Sequence, residues 1–151
     1  MIQLLRGTSE ESTIVSVNLY DKFTNPDLMY NPMLIIKSQQ TGKEKAFCSY
    51  AGSYDKKDRY VRFGITVVTS EVAENKSLGK IYLGTTDYPY GFYDVKIYEN
   101  KSNTNFSLSG VYLVFTTLMN LTETGNPAVT YTEYTTNDSD TESVYITNDN
   151  I

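Results

Sequence analysis

Short segments in which apolar and polar residues alternate recur along the whole chain. In the clearest of them, residues 91–99 (GFYDVKIYE), the apolar side chains of Tyr93, Val95 and Ile97 are separated by charged residues. This two-residue period indicates a strand with one buried face, and no long window has the 3.6-residue period of an amphipathic helix. We predict further strands at residues 13–20, 33–39, 46–50, 60–69, 80–83, 111–119, 129–135 and 143–147.

Turn-forming residues separate these segments. A polar turn at residues 41–43 predicts a hairpin between the strands on either side. Residues 71–76 (EVAENK) are the one stretch that suits a helical turn. Eight or nine short strands at this spacing predict an all-β protein, and more specifically an antiparallel β-sandwich of the immunoglobulin or fibronectin type. A jelly roll is the alternative architecture.

The pattern predicts a single domain. A chain of 151 residues is long enough to bury roughly 68–70% of its unfolded surface, so it can form a core without disulfides or metals. No linker divides it, and we assign residues 13–148 to one sandwich and residues 1–12 to a candidate N-terminal arm. The sequence has no signal peptide and no apolar run near the ~18 residues of a membrane span. We therefore expect synthesis in the cytoplasm and no membrane contact.

Composition supports the β prediction and excludes several kinds of catalytic site. The chain has nineteen threonines and fourteen tyrosines but only four alanines, a balance that suits pleated sheets better than helices. The absence of histidine excludes a His-dependent triad and a His-ligated metal site. A single cysteine, Cys48, supplies neither an internal disulfide nor a Cys-rich zinc site. We expect no enzyme activity, no cofactor and no metal.

The net charge of −5 is unevenly distributed. Residues 1–101 hold all thirteen basic residues and twelve acidic ones, whereas residues 102–151 hold six acidic residues and no basic one. An acidic last third argues against nucleic-acid binding, which requires a basic face. It is either a solvated rim or a docking face for a basic protein surface.

A candidate structural corner lies in residues 87–100 (DYPYGFYDVKIYEN). Pro89 and Gly91 shape a turn, and Tyr93 follows with apolar residues two and four positions later. This arrangement resembles the tyrosine corner of immunoglobulin-like sandwiches, in which the hydroxyl bonds to upstream backbone while the ring fills the core. The alternative is an ordinary strand after a Pro-Gly turn.

Two groups of residues are candidate interfaces. Tyr88, Tyr90 and Phe92 form an aromatic series at a period of two beside the corner. They either pack on a second layer of the same domain, anchor a protein interface, or stack a sugar or a base. Lys56, Lys57 and Arg59 form a basic cluster diluted by acidic neighbours. These three side chains suit an acidic protein surface, including the acidic last third of a neighbouring subunit in a head-to-tail assembly.

Residues 87–100, followed by residues 128–147 (AVTYTEYTTNDSDTESVYIT), are rich in Tyr, Thr and Asn. Over roughly residues 80–148 this pairing resembles small virion structural proteins of tailed bacteriophages. The resemblance implies a scaffold role in an assembled particle, as head decoration, capsid cement, neck or tail component. The resemblance does not imply a catalytic role for any residue of this chain.

The sequence therefore predicts a non-enzymatic phage virion protein that works by adhesion in many copies, most simply as a decoration or neck component. Its expected partners are capsid, portal, neck or tail subunits and further copies of itself, with no nucleic acid. A tail component and a carbohydrate-binding module that uses Tyr88, Tyr90 and Phe92 are the alternatives. A small hydrolase that relies on paired carboxylates is a third candidate, although no site for it is marked in the sequence.

Overall fold

Two β-sheets dominate the computed structural model, which describes residues 1–18, 31–49 and 61–124 and the backbone of residues 55–56. Short 3₁₀ turns lie at Glu71–Ala73 and Lys76–Leu78. The strands in chain order are β1 (Ile2–Arg6), β2 (Glu11–Val17), β3 (Met33–Ser38), β4 (Glu44–Cys48), β5 (Asp55–Lys56), β6 (Val61–Val68), β7 (Lys80–Tyr82), β8 (Gly91–Glu99) and β9 (Tyr112–Glu123).

The larger sheet has five strands in the order β1-β9-β8-β3-β4. Its strands are antiparallel except that β1 runs parallel to β9, with Ile2 opposite Met119. The predicted hairpin joins β3 to β4, and Gly42 closes its turn with a φ of 73°. A register shift opposite Ile97 and Tyr98 marks a bulge in β9.

The smaller sheet is built around β6. Strand β2 lies antiparallel on one side of β6, and β5 and β7 lie on the other, with β7 parallel. The register between β2 and β6 runs unbroken from Glu11 opposite Val67 to Val17 opposite Val61.

The hydrophobic core lies between the inner faces of the two sheets. Alternate residues of β8 and β6 point into it because successive side chains of a strand face opposite ways. Tyr93, Phe47 and Phe63 are its largest side chains and are fully buried. Full burial of each such aromatic side chain contributes roughly 1.5–3 kcal/mol through the hydrophobic effect.

The all-β prediction is confirmed, whereas residues 1–12 do not form an arm. Ile2 and Leu4 point into the core, with exposed fractions of 5% and 0%, and β1 is bonded to β9. The segment is held because these two alternating apolar side chains need burial. The strands predicted at 129–135 and 143–147 lie outside the described residues.

Candidate functional site

The corner residues come together at the start of β8. The hydroxyl of Tyr93 donates a hydrogen bond of 2.6 Å to the carbonyl oxygen of Pro89, and the ring of Tyr93 is fully buried. Gly91 has a φ of 125°, a conformation that side-chain-bearing residues rarely adopt. Removal from water raises the pKa of Tyr93 well above its usual range. This corner fixes the entry of β8 into the core and is structural.

The three aromatic candidates beside the corner have different environments. Tyr88 and Tyr90 are half-buried and pack against the core, and the Tyr88 hydroxyl donates to the carbonyl oxygen of Glu44 at 2.8 Å. Phe92 points to the other face of the sheet and is 47% exposed. The structure therefore leaves one exposed aromatic side chain here, and not a continuous platform of three.

A buried ion pair lies beneath Tyr88. The Lys45 ammonium donates to the Glu74 carboxylate and to the carbonyl oxygen of Tyr82, and it lies 4.6 Å from the centre of the Tyr88 ring. Glu74 also accepts a hydrogen bond of 2.8 Å from the backbone nitrogen of Tyr82. These groups satisfy one another, and a cleft of about 320 Å³ opens beside them. Their role is to tie β4 to β7 across the two sheets.

The positions of the three basic side chains predicted as a candidate interface lie outside the described part of the structure. Lys57 and Arg59 lie outside the described residues, and only the backbone of Lys56 is described, in β5 opposite Val61.

An ordered loop joins β8 to β9 at the opposite end of the sandwich from the corner. Nδ2 of buried Asn100 donates to the carbonyl oxygens of Ser102 and Asn105, at 2.7 and 3.2 Å, and lies 3.3 Å from the sulfur of Cys48. Asn105 continues the network by donating to the carbonyl oxygen of Ser109 and accepting from Ser107. The asparagine side chains thus hold the loop together, and that of Asn100 also connects it to Cys48 of β4.

Four exposed apolar side chains lie on this loop and at the start of β9, where the consecutive residues Tyr112 and Leu113 face opposite sides of the sheet. We call them the apolar tip: Phe106, Leu108, Tyr112 and Leu113, with exposed fractions of 37%, 61%, 64% and 51%. The tip lies in a stretch without any charged residue, from 102 to 122. A loop whose backbone is already held by hydrogen bonds loses less conformational freedom on binding than an unbonded loop does.

The tip is suited to binding and not to proton transfer or nucleophilic attack. Its side chains carry no carboxylate, amine or imidazole. The nearby thiol of Cys48 is buried, and this burial raises its pKa to about 11, partly opposed by the hydrogen bond from Asn100. A buried, protonated thiol is a poor nucleophile.

Sequence reasoning predicted a strand at 111–119 but did not identify the tip. The available signal was the length of the uncharged run, which far exceeds the other uncharged stretches of the chain. Phe106 and Leu108 also stand out as large apolar residues among serines and asparagines that favour turns.

Within the described part of the chain there is no helix of the length and hydropathy needed to cross a membrane. No protein-family model, curated protein or solved structure matches this chain.

Proposed function

We propose that the protein is a non-enzymatic structural component of a tailed-phage virion, most simply a head decoration or neck protein, that attaches through protein–protein contacts. The observation that carries this proposal is the apolar tip. An uncharged segment that exposes large apolar side chains has the composition found at the centre of protein interfaces, where charged residues are depleted. Repetition in many copies on a particle converts modest individual contacts into firm attachment.

The strand order supports a sandwich of the immunoglobulin type. In variable-type domains one sheet contains strands G, F, C and C′ as neighbours, and the other contains B, E and D. Here β9-β8-β3-β4 and β2-β6-β5 have the same orders. The hydrogen bond from Tyr93 to Pro89 at the start of β8 lies where such domains have their tyrosine corner. This is the finer fold assignment that we propose.

Under this assignment the loop between β8 and β9 is equivalent to the F–G loop. In antibody variable domains that loop belongs to the set that binds antigen. Asn31, which lies just before β3, donates a hydrogen bond of 2.9 Å to the carbonyl oxygen of Lys101, so this residue meets the loop at the same end. The end of the sandwich that bears the tip is therefore the end at which such folds place their recognition loops.

Mass spectrometry of purified virions tests the proposed role. We expect the protein at a copy number of many per particle, comparable with a repeated structural subunit. Its absence from particles that contain the other structural proteins would overturn the virion proposal.

A further inference from the structure

Part of β9 has no neighbouring strand on one side within the part of the chain that the structure describes. β1 pairs with β9 only from Met119 to Glu123, while β8 pairs with β9 along its other side. Among the described strands, none pairs with residues 114–118 on the side away from β8. We call residues 114–118 (VFTTL) the open edge. A row of unpaired backbone donors and acceptors is a template for an added strand.

The open edge lacks the features that usually prevent strands from joining. Charged side chains on edge strands discourage such pairing. The other edge strands β1, β2, β4, β5 and β7 each contain at least one charged residue. The open edge contains neither a charge nor a proline, and its residue types favour strands.

A groove beside the open edge offers space for side chains of an added strand. It has a volume of about 420 Å³ and lies between the two sheets, where Phe115 and Thr117 of β9 face Val15 and Val17 of β2. Leu118 on the outer face is 43% exposed. An added strand would cover apolar surface on both faces as well as satisfy the backbone.

We propose that the open edge pairs antiparallel with the open edge of a second copy of this chain, about a two-fold axis. An isologous contact places a segment against itself, so any charge in the segment would meet its own copy. The uncharged run from 102 to 122 is compatible with that arrangement and removes the like-charge repulsion that opposes self-pairing. The two larger sheets then form one continuous sheet.

The inference rests on the sheet edge and not on the virion role. A protein found in particles as a monomer would overturn the dimer and leave the role standing. A dimer that is absent from particles would overturn the virion role and leave the dimer standing.

The experiment measures the mass of the purified full-length chain by light scattering from micromolar to millimolar concentration. We expect a species of about twice 17.1 kDa. Thr116→Lys, at an exposed position near the middle of the open edge, places two ammonium groups together at the axis. Like charges that meet at the axis oppose pairing, so we expect the dimer affinity to fall roughly tenfold or more. Thr116→Glu should have the same effect.

Mixing the Thr116→Lys and Thr116→Glu variants should restore a dimer, because the two charges now attract. Val72→Lys is the matched control, since it adds a lysine at a 97% exposed position outside both the open edge and the groove. It should dimerise as the wild type does.

Hydrogen exchange gives a second measurement, in which the amides of residues 114–118 that point away from β8 should be protected in the dimer and exposed in the Thr116→Lys variant. A monomeric wild type, or a dimer unaffected by both substitutions, would overturn the proposal. A monomer in which the amides that point away from β8 are already protected would overturn it too, because another part of the same chain would then cover the edge.

Discussion

The hydroxyl of Tyr93 donates a hydrogen bond of 2.6 Å to the carbonyl oxygen of Pro89, while the Tyr93 ring is fully buried. Tyr93→Phe keeps the ring and removes this bond, so we expect the free energy of unfolding to fall by roughly 1–2 kcal/mol. Urea denaturation measures the change. Tyr112→Phe, at a 64% exposed position, is the control and should change stability by less than about 0.5 kcal/mol. Equal effects of the two substitutions would show that the corner contributes nothing.

Removing the charge of only one partner of the Lys45–Glu74 pair should lower the free energy of unfolding strongly. Their side chains are 8% and 16% exposed, so Lys45→Met leaves a largely buried carboxylate without its cation. We expect a loss of about 3–5 kcal/mol in the free energy of unfolding. The double variant Lys45→Met/Glu74→Gln removes the stranded charge and should recover part of that loss. A double variant less stable than the single one would contradict the pairing.

Alkaline pH should destabilise the fold through buried acids that stay protonated. Burial raises the pKa of the Cys48 thiol from 9.0 to about 11, so as pH rises the unfolded chain ionises first. The contribution of Cys48 to stability is therefore intact below pH 9 and is lost between about pH 9 and 11. The raised pKa of Tyr93 adds a further loss above about pH 10.

Urea denaturation at a series of pH values measures this effect. Cys48→Ser, which removes the ionisable thiol, should make the decline between pH 9 and 11 shallower. If the free energy of unfolding falls equally steeply with pH in the variant and the wild type, ionisable groups other than Cys48 cause the alkaline loss of stability.

Asn100 should control the order of the loop that carries the apolar tip. Asn100→Ala removes the donor for the carbonyl oxygens of Ser102 and Asn105, at an expected cost of roughly 1–3 kcal/mol. Faster amide exchange across residues 102–109 should accompany it. Asn103→Ala is the control, because that side chain makes a single long hydrogen bond of 3.4 Å to Ser77. Equal amide exchange rates across residues 102–109 in the two variants would show that Asn100 does not anchor the loop.

The local sequence was sufficient to predict a strand where the segment contains a complete alternating pattern of apolar and polar residues. Residues 91–99 have one, and β8 spans Gly91–Glu99. Strand β1 was missed because Ile2 and Leu4 provide only two inward positions, too few to distinguish a strand from an arm. Its burial depends on β9, more than a hundred residues away in the sequence. Pairing between strands so far apart in the sequence cannot be recognised from a short stretch of residues.

The tip was missed for a related reason. Turn-forming residues predicted a loop at 100–110, and the loop is present, but nothing local fixes the direction of its apolar side chains. The contact between Asn100 and Cys48, 3.3 Å apart, anchors the loop to β4 while Leu108 projects outward. The open edge likewise exists only because β1 ends its pairing at Met119, a property of the assembled sheet.

Adhesion through the apolar tip is tested most directly by binding of the purified protein to virions prepared without it, measured by co-sedimentation. Wild type and Val72→Asp, which changes a 97% exposed apolar residue outside the tip, should both sediment with the particles. Leu108→Asp/Leu113→Asp should keep its fold and lose binding at least roughly tenfold, because two charges enter an apolar contact. Undiminished binding by the tip variant would contradict the account.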